Sequence, residues 1–272
     1  MSERDALVAA VAGGVELIEL GQPFFTGMPC SPNHPGFRMT LVRRHGDMMR
    51  PDGGSAANEI IVTGGHVGTH IDALSHVSHD GLLHNGVDAY QAQRGGAFTE
   101  HGAEHLPGLL RRGVLLDVAR LHGVEVLPGG YEITAADLTR AAKQAGTEPE
   151  SGDIAVIRTG WSRLFSDREA YLGAASGVPG VGVAAARWLA ERGVVATGSD
   201  TTAYECISPG AGHSVLPVHR ALLVESGIYI LEHLALEDLA GAGLAEFVFL
   251  LAPLRIVGGT GSPVRPLAAV RR

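Results

Sequence analysis

Apolar positions in this chain recur at two spacings, and the switch between them marks out its elements. Residues 2–12 place Ala6, Leu7, Ala10 and Val11 at helical spacing and stop at Gly13-Gly14, which predicts a helix with a glycine stop. Residues 15–20 read as a strand. Residues 21–36 carry Pro23, Pro29, Pro32 and Pro35 and read as a long loop, a length often tied to function. Strands are expected over 37–44 and 59–63, and a short buried one over 113–118. Thr134 is placed to cap a helix through Ala145, with Asp137 at its third position and Gly146 as its stop. Strands over 153–159, 194–197, 227–232 and 247–251 then alternate with helices over 183–192 and 215–225. The tail at 258–263 reads as loop.

Strands dominate the first half and alternate with helices in the second. That pattern predicts an α/β fold: a single mixed-sheet domain over residues 1–272, with flanking helices. No repeat, charge block or linker interrupts it.

Between the strand at 59–63 and the buried strand at 113–118 lies the stretch richest in chemistry. Residues 64–81 read Gly-Gly-His-Val-Gly-Thr-His-Ile-Asp-Ala-Leu-Ser-His-Val-Ser-His-Asp-Gly. Imidazole and carboxylate without thiolate are the ligands that borderline divalent metals take, and they serve zinc and manganese alike. On one straight strand His66 and Asp72 would stand about 20 Å apart, too far for one ion. On one helix His66 and His70 would be neighbours while Asp72 pointed away. Chelation by all three therefore needs a bend, and Gly68 is the residue that can make it. A helical turn beginning near Asp72 would set His76 alongside it. The expected path is strand, tight turn, short helix. His79 and His84, flanked by Gly, Asp and Asn, read as exposed turn histidines.

Glu232 ends the apolar run Ile228–Leu231, where a carboxylate is costly unless paired or bound to metal. His213, His219 and His233, taken singly, read as structural. His219 precedes Glu232 on the expected helix, which could fold both back to the first site. The run Gly258–Gly261 lacks the Lys-Ser/Thr of a phosphate loop.

The formal net charge of −8 argues against a nucleic-acid or anionic-membrane surface. No apolar run reaches membrane-spanning length, and early charges break any signal-peptide core. Cys30 and Cys206 match no metal or redox spacing and read as free thiols of a reducing, cytoplasmic setting.

His66-x-Gly68-Thr69-His70-x-Asp72-x-x-x-His76 resembles the signature of the metal-dependent cyclase/hydrolase family that includes bacterial kynurenine formamidase and isatin hydrolase. Leu216-Pro217-Val218-His219, Ile230-Leu231-Glu232, and the segments at 152–161, 198–201 and 252–265 extend the resemblance from about residue 15 to the C-terminus. The resemblance implies that His66, His70 and Asp72 are primary ligands of a Zn2+ or Mn2+ ion. It implies that His219 and Glu232 complete a second or shared position, and that His76 is the general acid/base. It also implies a homo-oligomer, such as a homodimer, acting on a small molecule. Hydrolysis of a small amide, lactam, lactone or formamide is the expected reaction. Cyclisation or dehydration of a polyketide-like substrate, or metal-dependent binding without catalysis, are the alternatives. Leu74 stands where the family often has proline. Met28-Pro29-Cys30-Ser31-Pro32 stands where formamidases carry a tryptophan, and Arg220 replaces a histidine common in them.

Overall fold

A strand that is apolar at nearly every position must be covered on both faces. Ile154–Arg158, Ile-Ala-Val-Ile-Arg, is buried throughout and lies at the centre of the molecule. The computed structural model describes residues 3–271. In chain order, α1 (Glu3–Ala12) leads into β1 (Val15–Glu19), β2 (Arg38–Arg43), β3 (Asn58–Val62) and β4 (His70–Asp72). The short β5 (Gln93–Arg94) and β6 (Ala97–Phe98) precede β7 (Leu109–Asp117), α2 (Val118–Leu121), β8 (Glu132–Ile133), α3 (Ala135–Ala145) and β9 (Ile154–Arg158). Then come α4 (Arg168–Leu172), β10 (Gly180–Val181), α5 (Val183–Glu191), β11 (Ala196–Ser199), α6 (Pro217–His219) and β12 (Tyr229–Glu232). The chain closes with α7 (Glu237–Gly241), β13 (Glu246–Leu251), β14 (Gly261–Pro263) and β15 (Leu267–Arg271).

Nine strands form one mixed sheet in the order β1-β15-β13-β7-β9-β11-β12-β4-β14. Its middle, β7-β9-β11-β12, is parallel, and both flanks are antiparallel. Successive side chains point to opposite faces. Val114, Leu116, Ala155, Ile157 and Ile230 therefore pack on one side with Leu138 of α3 and Leu189 of α5. Leu115, Ile154, Val156, Leu231 and Phe249 pack on the other with Leu239 of α7. The fold is the mixed α/β sheet with flanking helices that the pattern predicts.

The cap at Thr134 forms as expected. Its hydroxyl accepts from the Asp137 amide, the Asp137 carboxylate accepts from the Thr134 amide at 3.0 Å, and Gly146 ends the helix at φ 72°. Three expectations change. Residues 37–44 and 59–63 do form strands, but they pair with each other as a hairpin outside the main sheet. It exposes apolar side chains: Met39 and Leu41 on β2, Ile60 and Ile61 on β3. The helix expected after Asp72 does not form, because residue pairing captures His70–Asp72 as a strand between β12 and β14, and residues 73–76 close a turn instead (His76 amide to Ala73 carbonyl, 2.9 Å). The tail is not all loop. Gly261–Pro263 pairs with β4, and Leu267–Arg271 is inserted between β1 and β13.

Candidate metal centre

β4 is the element on which the site is built. Residues two apart on a strand share a face, so His70 and Asp72 point the same way. Glu232 sits directly opposite His70 on β12. His66 enters through the bend at Gly68, whose φ is +64° and where a side chain would come within 2.6 Å of Phe24 and 2.7 Å of Met28. A residue with a Cβ is excluded there by both backbone and space. Gly261, opposite Asp72, leaves room for the His66 ring, which would stand 2.6 Å from a Cβ at that position.

These residues converge. The His70 Nε2 lies 3.5 Å from Asp72 Oδ1 and 3.6 Å from Glu232 Oε2. The His219 Nε2 lies 3.1 Å from Glu232 Oε1 and 3.7 Å from Asp72 Oδ2. The His70 Nδ1 donates to the Gly68 carbonyl at 2.8 Å, which leaves its Nε2 facing the cluster. His66 donates to Asp72 Oδ1 at 2.7 Å, with its other nitrogen 2.9 Å from the Thr260 hydroxyl. Three overlapping sets of side chains could hold an ion: His66, Asp72 and His76; His70, Glu232 and His233; Asp72, His219 and Glu232. The six residues of the expected site thus lie close together: His70, Asp72, His219 and Glu232 face one another, His66 adjoins them through Asp72, and His76 lies beside His66. His76 stacks on His66 with ring centroids 3.8 Å apart. It reaches that position from a turn rather than from the expected helix.

The electrostatics follow from burial. Desolvation alone would lower His219, but hydrogen bonds to Glu205 and Glu232 outweigh it and raise it to about 10. Burial likewise works against a charged His70, and Asp72 and Glu232 more than compensate, so it too is raised. Asp72 is fully buried, a cost that the neighbouring His76, His66 and His70 overcome, holding its carboxyl well below the usual range. His76, facing three imidazoles, is pushed down to about 3, first by desolvation and then by His66 and His219.

Two further residues take part that no spacing in the sequence marks. Glu205, in the loop after β11, is buried and accepts from His219 Nδ1 at 2.6 Å and from the amides of Val218 and His219. It fixes the ring and tautomer of His219, the usual outer partner of a metal-binding imidazole. His233 adopts φ 56°, and its Nδ1 lies 3.1 Å from the Tyr171 hydroxyl. Glu205 lies fourteen residues before His219, and only the fold joins them. His84 is no exposed turn residue: its Nδ1 donates to the Val224 carbonyl at 3.0 Å. His79 is half-buried, with its side chain 41% exposed.

One buried atom tests whether an ion suits this donor set. Asp72 is completely buried, yet its Oδ2 has no hydrogen-bond partner among the described residues. A buried carboxylate oxygen is costly to leave unpaired. Asp72, Glu205 and Glu232 also place three carboxylates around one imidazole. A divalent cation satisfies the oxygen and offsets the surplus charge, so the residues present fit one.

Comparisons with known proteins bear on the family and the fold. The family model described as putative cyclase matches residues 18–206. An isatin hydrolase of Roseibium aggregatum is 32% identical over 167 residues, 57% of this chain and 62% of that protein. The match thus spans less than two thirds of that relative's length. A solved structure described as a novel cyclase superposes with a TM-score of 0.85 at 30% identity, covering 97% of this chain and 92% of the other. Isatin hydrolase A from Labrenzia aggregata, solved with benzyl benzoate, gives 0.75 at 25% identity with both chains fully covered. On the extent of the family match, and with the fold in agreement, this chain belongs to the putative cyclase family.

Proposed function

We propose that the protein is a metal-dependent hydrolase that opens a small amide, lactam, lactone or formamide. The observation that carries this is the unpartnered Oδ2 of Asp72 beside the inward-facing nitrogens of His70 and His219. His66, His70, Asp72, His219 and Glu232 would hold the ion, Zn2+ or Mn2+. When bound, such an ion polarises a substrate carbonyl and acidifies water. The protein's own part is positional. Glu205 holds the His219 ring, Gly68 holds His70, and the strand pair holds Glu232 across from His70. His76 lines the same cavity of about 150 Å3. Its ring makes no hydrogen bond among the described residues and is placed to accept a proton from water and return it to the leaving group.

Elemental analysis of the purified protein, together with a screen of small lactones, lactams, isatin and formamides in 18O-labelled water, tests the reading. One molar equivalent or more of zinc or manganese, and product carrying 18O, is expected. Turnover without 18O uptake fits the cyclase or dehydratase reading, which the family's description favours. Metal content with no turnover fits a binding protein.

The free thiols of Cys30 and Cys206 support a cytoplasmic setting. Among the described residues, no helix is long and apolar enough to cross a membrane. The exposed apolar hairpin β2–β3 supports a homodimer, since its side chains need a covering surface.

A further inference from the structure

The cavity that holds the cluster adjoins a second one of about 270 Å3, and Ser31, Thr202 and His213 line both. The wall of the second is largely apolar, with Leu172, Val178 and Ile207 contributing. Two polar features break that wall. Thr202 is 4% exposed, and its hydroxyl has no hydrogen-bond partner among the described residues. Buried hydroxyls are rarely left unpaired, so one at the junction of two cavities is placed for something that enters them. The other feature is Arg168, at the start of α4, which lines the second cavity and forms no ion pair among the described residues. Neighbouring Asp167 does not take it up, because its carboxylate caps α4 through the Ala170 amide at 3.1 Å. Arg168 is itself exposed, so its guanidinium stands at the rim of the second cavity.

An apolar cleft with one free guanidinium and one free hydroxyl, opening onto the cluster, has the layout of a specificity pocket. We propose that Arg168 selects substrates made of an apolar body bearing a carboxylate. The carboxylate meets the guanidinium, the body fills the cavity, and the Thr202 hydroxyl donates to a polar atom between the body and the cluster. Guanidinium suits this role because its fork matches a carboxylate. The assignment names a substrate class for the site proposed above and rests on that reading.

Calorimetric titration of the metal-loaded full chain with 4-phenylbutyrate and with 4-phenylbutyramide tests it, in wild type, R168Q and R168K. The wild type should bind the acid more tightly than the amide by on the order of tenfold, as one charge-assisted contact gives at a partly exposed site. The preference should fall towards one in R168Q, survive in part in R168K, and shrink as salt is raised to about 0.5 M. Equal binding of the two probes, or binding of neither, overturns the proposal. So does an acid preference unchanged in R168Q, which would place the carboxylate on the ion. The hydrolase reading fails separately, through absent turnover while the acid preference persists.

Discussion

Glu232 faces His70 across the β12–β4 strand pair, Oε2 to Nε2 at 3.6 Å, although 162 positions separate them in the chain. Opposed residues of an antiparallel pair sit close enough for their side chains to meet. Any shift of register by one residue would send one of them to the other face. The sheet therefore fixes the His70, Asp72 and Glu232 part of the site.

Glu232→Gln should remove most of the bound metal while leaving the sheet in place, because the amide keeps the shape and removes the charge. Metal content by elemental analysis, with far-UV circular dichroism as the control for folding, checks it. An unchanged metal-to-protein ratio would remove Glu232 from the ligand set.

His76→Ala should retain metal and lose roughly 10²–10⁴-fold in turnover, the usual share of general acid–base catalysis. Loss of metal in proportion to activity would instead make His76 a ligand, in line with its place beside His66 and Asp72.

Arg158 ties three elements together. Its guanidinium donates to Asp117 at 2.9 Å and to both oxygens of Glu237, at 2.8 and 3.0 Å, joining the ends of β9 and β7 to α7. It is 6% exposed. Replacing it with Met leaves the Asp117 carboxylate without its guanidinium while Glu237 keeps Arg163, and should cost on the order of 3 kcal/mol of stability. Denaturant unfolding measures this, and a loss well under about 1 kcal/mol would show the network to be dispensable.

Asp200 sets a pH dependence away from the metal centre. Burial raises its carboxyl to about 6, against the amide and hydroxyl of Thr159, which favour the charged form. The folded state thus binds this proton more tightly than the unfolded chain. Its contribution is complete below the unfolded value of about 4 and is lost as pH rises through about 6. By neutral pH the loss reaches about 3 kcal/mol. Denaturant unfolding at both ends of that window should show wild type falling relative to D200N. Parallel curves would mean that Asp200 ionises normally.

The extent of the folding unit has its own test. β1 and β15 pair with each other at one side of the sheet, and the cluster draws on residues near both 70 and 230. The chain should behave as one unit from end to end. Limited proteolysis followed by size separation should release no independently folded, metal-binding half.

Much of this was legible from residue order. The capped helix Ala135–Ala145 is specified within its own turns, since each capping partner lies three residues away. The buried strand Ile154–Arg158 announces itself by being apolar. The bend at Gly68 follows from ligand spacing alone, because no straight element brings His66 and Asp72 together. Local chemistry decides such features, and local chemistry is what a sequence displays. The short strand His70–Asp72 was not legible: three residues carry no periodicity, and hydrogen bonds from Glu232 on one side and Gly261 on the other hold it extended where a helical turn was expected. Glu205 was hidden for the same reason, as was the final strand Leu267–Arg271. Each takes its role from a partner far away in the chain, and only chain folding brings those partners within bonding distance.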